Sequence, residues 1–267
     1  MKLQKMLILL AVIFLLTASS SNSQGQTTSG KAYEDMSRAE RLTFVGEQAR
    51  RIAREISGNE YAFTSDFEGD IQRAVTQYAQ RVGKSNGGDL RIVFERGQVQ
   101  ASKLSAIFRA RNVSPLIGLY LPWVESEYVN IASSNAMGAI GMFQFVPKTG
   151  EHFGLSAQDL LDVDKSADGA ARYILESVNT FSDDPMKEAL ALLAYNRGGY
   201  RLSRELKFLV NDQNRSCSIC ALTADRSKLD ESFRSESVFY VPRFFAAAII
   251  GENPQVFGLG MKPLSSH

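Results

Sequence analysis

The stretch that most constrains the fold runs over residues 114–128 and is apolar on almost every face of a helix. A helix of this kind must be buried, because none of its faces suits water. Ser114 followed by Pro115 is a typical helix start, whereas Pro122 predicts a kink before the helix ends. The segment therefore predicts a core helix around which other elements pack.

One carboxylate, Glu125, lies near the far end of this segment. Helical spacing places Ile117 and Leu121 on the same stripe as Glu125. An ionised carboxylate is costly among apolar side chains, so the pKa of Glu125 is expected to rise. Glu125 is therefore a candidate general acid, and the alternative is a structural glutamate at a helix end.

Residues 1–20 have the order of a secretory signal peptide. Lys2 and Lys5 precede an apolar run over 6–16, and small residues follow. The run is shorter than the about 20 residues that a membrane-spanning helix needs. We therefore predict an exported, periplasmic protein whose mature chain has no membrane span, with an uncleaved anchor as the alternative. The absence of a cysteine near this segment argues against a lipoprotein anchor there.

The composition excludes several classes of function. The 30 basic and 29 acidic residues nearly balance, which indicates neither nucleic acid nor an anionic membrane as a partner. Only two histidines, His152 and His267, are present, so a multi-histidine zinc site is not expected. There is no nucleotide-binding glycine loop and no nucleophile elbow. We expect no metal and no cofactor, so an enzyme of this composition must use carboxylates, amides and aromatic rings.

The two cysteines, Cys217 and Cys220, form a C-x-x-C pair. In an exported chain this spacing favours a structural disulfide that holds a loop. A redox pair is the alternative, but no thioredoxin-like strand and helix surround the cysteines.

Apolar residues at three- and four-residue steps predict an all-α fold. The predicted helices cover residues 37–56, 66–82, 98–111, 114–128, 148–153, 164–180, 185–196, 202–210 and 235–249. Residues 22–31 are expected to be a disordered lead, and 89–95 either a short strand or a helical turn. Residues 211–234 are predicted to be a loop with irregular turns, and 254–267 a tail.

Four short motifs follow one another along the chain. They are Glu125-Ser126, Gly-Ala-Ile-Gly-Met-Phe-Gln at 138–144, Ala-Tyr-Asn-Arg-Gly at 194–198 and Glu-Ser-Val-Phe-Tyr-Val at 236–241. Together they resemble the family 1 lytic transglycosylases of the bacterial cell wall, most closely the membrane-bound D type. The resemblance implies a lysozyme-like catalytic domain over residues 112–259, behind a lead and helical extension over 21–111 and before a tail over 260–267.

The resemblance also implies a reaction on peptidoglycan. The β-1,4 bond between N-acetylmuramic acid and N-acetylglucosamine would be cleaved with formation of a 1,6-anhydro end. Glu125 would protonate the glycosidic oxygen and then take the proton from the muramic 6-hydroxyl, while the substrate's acetamido group stabilises the cationic centre. Ordinary glycosidases use two carboxylates. Glu127 is not expected to be the second, because two helical residues turn it about 200° away from Glu125.

The other motif residues are expected to contact the sugar. Gln144 would hydrogen-bond an acetamido or hydroxyl group, and Met142 and Phe143 would supply apolar surface. Gly138 and Gly141 would let the backbone approach the sugar closely or adopt a positive φ.

The last two motifs are expected to add polar groups to the cleft. Tyr195 and Asn196 end a predicted buried helix, where a helix cap and a packed ring are the alternative. Glu236 and Tyr240 lie four residues apart and would face the cleft from one helix face, with Glu236 orienting groups rather than acting as a nucleophile.

Two serines complete the expected site. Ser126 would hold the carboxylate of Glu125 or the sugar. Ser134 is expected to face the acetamido group, although the loop over 126–138 is one residue longer than the commonest family spacing, which keeps Ser133 as an alternative.

Other functions stay open on the residues alone. A goose-type lysozyme-like hydrolase would use the same acid with water as the acceptor, and a silent peptidoglycan-binding protein would not cleave at all. The chain shows no wall-binding LysM repeat. Affinity for peptidoglycan strands is therefore expected to come from the cleft or from a partner in the cell-wall machinery.

Overall fold

The computed structural model describes residues 30–84, 88–132, 138–211 and 215–267. The predicted signal peptide lies outside these residues, as do Ser133 and Ser134. Within the described ranges the chain is helical and has no strand, only two isolated bridges in the loop around Gly141. The predicted all-α class is confirmed. In the same ranges, no helix combines the length and the apolar character that crossing a bilayer requires.

The α-helices are connected by short loops and 3₁₀ turns. They are α1 (Arg38–Ser57), α2 (Ser65–Ala79), α3 (Leu90–Ala110), α4 (Pro115–Ser126), α5 (Pro147–His152), α6 (Val163–Thr180), α7 (Lys187–Arg197), α8 (Gly199–Leu209), α9 (Ser218–Ala224), α10 (Glu231–Ser235) and α11 (Tyr240–Glu252).

The first three helices begin at side-chain caps. Ser37 and Glu40 form a capping box at α1, and Thr64 caps α2 by accepting a hydrogen bond from the Phe67 N–H. Asp89 does the same for α3 through the Arg91 N–H, so residues 89–95 continue into one long helix. The predicted separation of this segment from 98–111 is wrong. Gly97 lies inside α3 and packs against the Tyr128 ring. A Cβ at this position would lie 2.9 Å from that ring, so glycine leaves the room that the ring needs.

Helix α4 is the centre of the fold, as its sequence predicts. It packs against α1, α3 and α11, and its residues from Leu116 to Trp123 are all buried. The Trp123 ring meets Tyr78 of α2 and Phe94 of α3 edge-on at centroid distances of 6.1 and 6.3 Å. The helical extension and the motif-bearing helices therefore share one hydrophobic core.

Several boundaries differ from the predictions. Residues 211–234 hold the short helices α9 and α10, whose buried Leu222 and Phe233 anchor them to the core. Helix α11 begins at Tyr240, after a 3₁₀ turn over Ser237–Phe239, rather than at 235. The tail is fixed, because Leu264 is fully buried and the Ser265 N–H donates to the Glu252 carboxylate at 3.2 Å.

Candidate active site

Glu125 lies in the last turn of α4, half-buried, and its carboxylate meets the start of α11. The Tyr240 hydroxyl donates a hydrogen bond to Oε1 of Glu125. Tyr240 itself is buried and is the first residue of α11. The packing of α4 against α11 therefore delivers a hydrogen-bonded carboxyl to the surface of the core.

The surroundings raise the pKa of Glu125 from 4.5 to about 7. Burial is the main cause, because it penalises the charged form. The Tyr240 hydrogen bond and the positive charge of Arg243 lower the pKa, and the negative charge of Glu236 raises it further. Desolvation dominates, so the carboxyl is about half protonated near neutral pH and suits proton transfer in both directions.

Tyr195, in the last turn of α7, fixes the glycine-containing loop beside this carboxyl. Its hydroxyl donates to the carbonyl of Phe143 at 2.8 Å, and its ring contacts Tyr173 and Phe145 edge-on. Burial raises the pKa of Tyr195 well above its usual range, and the negative charge of Glu125 adds to the effect. Tyr195 is therefore near enough to Glu125 for their charges to interact, and its hydroxyl holds the loop through Phe143.

The loop over residues 138–145 is shaped by backbone contacts. Gly141 has φ +80°, and a Cβ there would lie 2.2 Å from the carbonyl oxygen of Leu160. Its N–H donates to Ile131 O at 2.8 Å. Gln144 also has a positive φ, and its amide Nε2 donates to Gly141 O at 2.8 Å. Gly141 thus permits a close approach to protein backbone, whereas a Cβ at Gly138, at φ +78°, would meet no atom of the described residues within 4 Å.

Ser126 and Met142 occupy different places from those expected. The Ser126 hydroxyl donates to the carbonyl of Met142 at 2.7 Å, which ties the end of α4 to the loop. Met142 and Phe143 are buried in the hydrophobic core, with Phe143 stacked on Phe108 at 6.2 Å. In this structure their packing within the core covers both side chains, so the expected apolar contact with a sugar stays a prediction.

Glu236 is exposed and lies between α10 and the 3₁₀ turn, at φ −131° and ψ −64°. It is outside α11, so the prediction that Glu236 and Tyr240 share one helix face is wrong. Glu236 instead lines a cavity together with Phe239 and Arg243. Its charge reaches Glu125, but from the edge of the site.

Asn196 and Glu127 show two contrasting environments. Oδ1 of Asn196 is buried without a hydrogen-bond partner among the described residues, which is unusual for a buried polar atom. Glu127 caps α4 in the left-handed region and receives two hydrogen bonds from Arg81, at 2.6 and 2.9 Å. Glu127 is thus held in an ion pair, whereas Asn196 retains an acceptor for a further group.

Sequence reasoning missed Arg243 and Phe239. Arg243 follows Tyr240 by one helical turn, its charge lowers the pKa of Glu125, and its Nε is buried without a partner in the described part of the chain. It is the only charged residue over 240–251, a signal comparable to that of Glu125 in α4. Phe239 is 45% exposed beside Glu236, and no sequence pattern distinguishes it from core phenylalanines.

The described residues hold no cluster of three or more His, Cys, Asp or Glu side chains arranged for a metal ion. Cys217 and Cys220 are joined as a disulfide at the start of α9.

Comparison with known proteins supports the domain and its general activity. Residues 105–214 match the family model described as the Transglycosylase SLT domain. The match contains Glu125, the loop over 138–145, Tyr195 and Asn196, but ends before Glu236. A search among curated proteins finds no match. The family match supports a family 1 lytic transglycosylase-like domain, which indicates cleavage of glycosidic bonds in peptidoglycan.

Proposed function

We propose that this protein is a lytic transglycosylase of the membrane-bound D type, which cleaves the β-1,4 bond after N-acetylmuramic acid and leaves a 1,6-anhydro end. The observation that carries the proposal is the environment of Glu125. Its carboxyl is half-buried, hydrogen-bonded by Tyr240 and has a pKa of about 7. It also lies inside the region that matches the Transglycosylase SLT domain.

In the first step Glu125 acts as the general acid. Tyr240 donates to Oε1, so Oε2 carries the proton and delivers it to the glycosidic oxygen. The bond from the muramic C1 to that oxygen breaks, and N-acetylglucosamine leaves with a free 4-hydroxyl. The acetamido oxygen of the muramic residue stabilises the cationic C1.

In the second step the Glu125 carboxylate acts as the base. It takes the proton of the muramic 6-hydroxyl while that oxygen forms a bond to C1, which closes the anhydro ring and restores the protonated acid. Glu125 begins and ends each cycle in the same state, so no water molecule is consumed. A pKa near 7 suits both steps, because acid and base forms differ little in free energy at neutral pH.

Two other glutamates lie near Glu125, and the environment of each supports a mechanism in which Glu125 is the single acid/base. Glu127 is held by Arg81. Glu236 is exposed, and we assign it to orienting substrate and tuning the charge at Glu125 rather than to nucleophilic attack. Asn196 and Gln144 are assigned to the sugar's polar groups, because Asn196 Oδ1 has no partner within the described ranges and Gln144 lies on the loop that Tyr195 fixes.

Digestion of purified sacculi tests the proposal. Mass spectrometry of the wild-type products is expected to show 1,6-anhydromuramic ends, which Glu125→Gln abolishes. Glu127→Gln is the matched control, two residues away, and should retain most of the activity. Reducing ends without anhydro products would favour a lysozyme-like hydrolase. Binding to sacculi without cleavage by the wild type would favour a silent peptidoglycan-binding protein.

We also propose that residues 1–20 direct export to the periplasm and that the catalytic domain spans about residues 112–259. Cell fractionation and N-terminal sequencing of the mature protein test the first point. A precursor that stays in the cytoplasm with an intact N-terminus would contradict it.

A further inference from the structure

A large cavity lies apart from Glu125, which is not among its lining residues. It is a groove of about 1220 Å³ between the start of α2 and the segment that carries the disulfide. Pockets for drug-sized molecules have volumes of roughly 300–1,000 Å³. The groove is therefore large enough for an extended ligand of several residues.

A smaller cavity of about 270 Å³ shares part of the lining of this groove and lies nearer the candidate active site. It lies between α2 and the start of α11 and includes Glu236 and Arg243, whose charges both act on Glu125. Asp70 and Arg73 of α2 line both cavities. The groove and the smaller cavity are therefore neighbours along α2, and the smaller cavity lies between the groove and the charges that act on the acid.

The walls of the groove carry charges of both signs. Its charged lining residues are Arg38, Asp66, Asp70, Arg73, Asp225 and Arg226. Neutral sugars are recognised by amides, hydroxyls and aromatic faces, whereas alternating cations and anions complement a ligand that itself carries both. Arg226 is exposed, and Arg73 is exposed although it is ion-paired with Asp70, so both guanidinium groups can reach a ligand in the groove.

The disulfide holds one wall in place. Cys217 and Cys220 both line the groove, and Cys220 Sγ accepts a hydrogen bond from the Thr64 N–H at 3.4 Å. Ser218, between them, is buried and donates to Asp184 at 2.9 Å. The wall formed by α9 is therefore fixed against α2 before any ligand binds, which lowers the entropy cost of binding.

We infer that this groove binds the stem peptide attached to the muramic lactyl group, while the glycan strand occupies the cleft at Glu125. The stem peptide carries carboxylate and ammonium groups, and it leaves the strand at the sugar whose bond is cleaved. The inference rests on the proposed function, because a stem peptide reaches the groove only if the muramic acid that carries it binds at Glu125.

The test compares cleavage of peptide-bearing glycan strands with cleavage of strands stripped of peptide by an amidase. For the wild type, kcat/KM is expected to be higher on peptide-bearing strands. Arg73→Ala and Arg226→Ala, on opposite walls, should each lower the ratio of the two kcat/KM values about tenfold, which is typical for loss of a charged hydrogen bond. Arg54→Ala is the matched control, because Arg54 is exposed and paired with Glu60 away from the groove.

A further variant tests the groove without removing a charged side chain, and so without breaking an ion pair such as that of Arg73 with Asp70. Ala224→Trp fills the groove without changing its charge, and it should lower the same ratio while circular dichroism shows a folded chain. A ratio that stays at the wild-type value in all three groove variants overturns the inference, even if anhydro products confirm the activity.

Calorimetric titration with free stem peptide separates the groove from the reaction. If the wild type cleaves neither kind of strand, the proposed function fails, and the titration then decides the inference alone. Peptide binding that Arg73→Ala and Arg226→Ala weaken supports the groove as a peptide site. Absence of binding to the wild-type protein overturns it.

Discussion

Two regions meet at the candidate acid, and they contribute to it in different ways. Helix α4 brings Glu125 to the end of a buried apolar segment, where burial raises its pKa. The junction over residues 236–243 surrounds that carboxyl with Glu236, a hydroxyl from Tyr240 and the cation of Arg243. Desolvation at the end of α4 therefore raises the pKa of Glu125, whereas the charges and the hydroxyl of the junction shift that pKa by smaller amounts.

The largest effect is expected in α4. Glu125→Gln removes the only proton donor that we assign to the leaving group and should lower kcat by about 10²–10⁴. The release of soluble fragments from sacculi measures it. Glu127→Gln, in the same turn but paired with Arg81, should stay within a few-fold of the wild type. Equal losses in the two variants would show that the site does not depend on Glu125 specifically.

Tyr240→Phe should produce the next largest effect. It removes the hydroxyl that donates to Oε1 of Glu125, and this hydrogen bond lowers the pKa of Glu125. The pKa should therefore rise above about 7, and kcat should fall about tenfold because the carboxyl is less well oriented. The pH profile of kcat/KM measures the shift, and an alkaline limb that moves to lower pH would contradict it.

Substitutions of Arg243 and Glu236 should shift the alkaline limb of the pH profile in opposite directions, and by less than Tyr240→Phe does. Activity requires protonated Glu125, so it is expected to fall as pH rises through about 7. Arg243→Met removes a charge that lowers the pKa of Glu125, so the limb moves up. Glu236→Gln removes a charge that raises it, so the limb moves down. Parallel shifts in the two variants would show that their charges do not act directly on Glu125.

The last prediction concerns stability rather than activity. The folded-state pKa of Glu125 is raised from 4.5 to about 7, so ionisation costs the wild type stability as pH rises through that interval. Glu125→Gln cannot ionise and should therefore be more stable than the wild type at pH 8, by at most about 3 kcal/mol. The advantage should disappear near pH 4. Thermal unfolding at both pH values measures it, and a stability difference independent of pH would contradict the assigned pKa.

The same two regions show how far the sequence could predict the site. Helix α4 is predictable because its burial follows from its own apolar residues, and its capping signal at Pro115 is local. The contact between Tyr240 and Glu125 joins residues 115 positions apart, so no local pattern contains it. The motif resemblance predicts Tyr240 at the site. The predicted shared helix face with Glu236 is wrong, because the backbone at Glu236 leaves the helical region.

Other differences have the same origin. Met142 and Phe143 follow a glycine and resemble an open loop, yet the turn at Gly141 directs both into the core. The polar segment over 211–234 hides α9 and α10, because the few apolar residues that anchor them give no extended periodicity. The structure of these segments depends on their burial against helices distant in sequence rather than on local propensity.

In the proposed mechanism Glu125 takes the muramic 6-hydroxyl proton, and no water enters the product. Digestion of sacculi in water labelled with ¹⁸O, followed by mass spectrometry of the muropeptides, tests it most directly. We expect 1,6-anhydromuramic ends that contain no ¹⁸O, formed by the wild type and absent with Glu125→Gln. Reducing muramic ends that carry ¹⁸O would contradict it and identify a hydrolase.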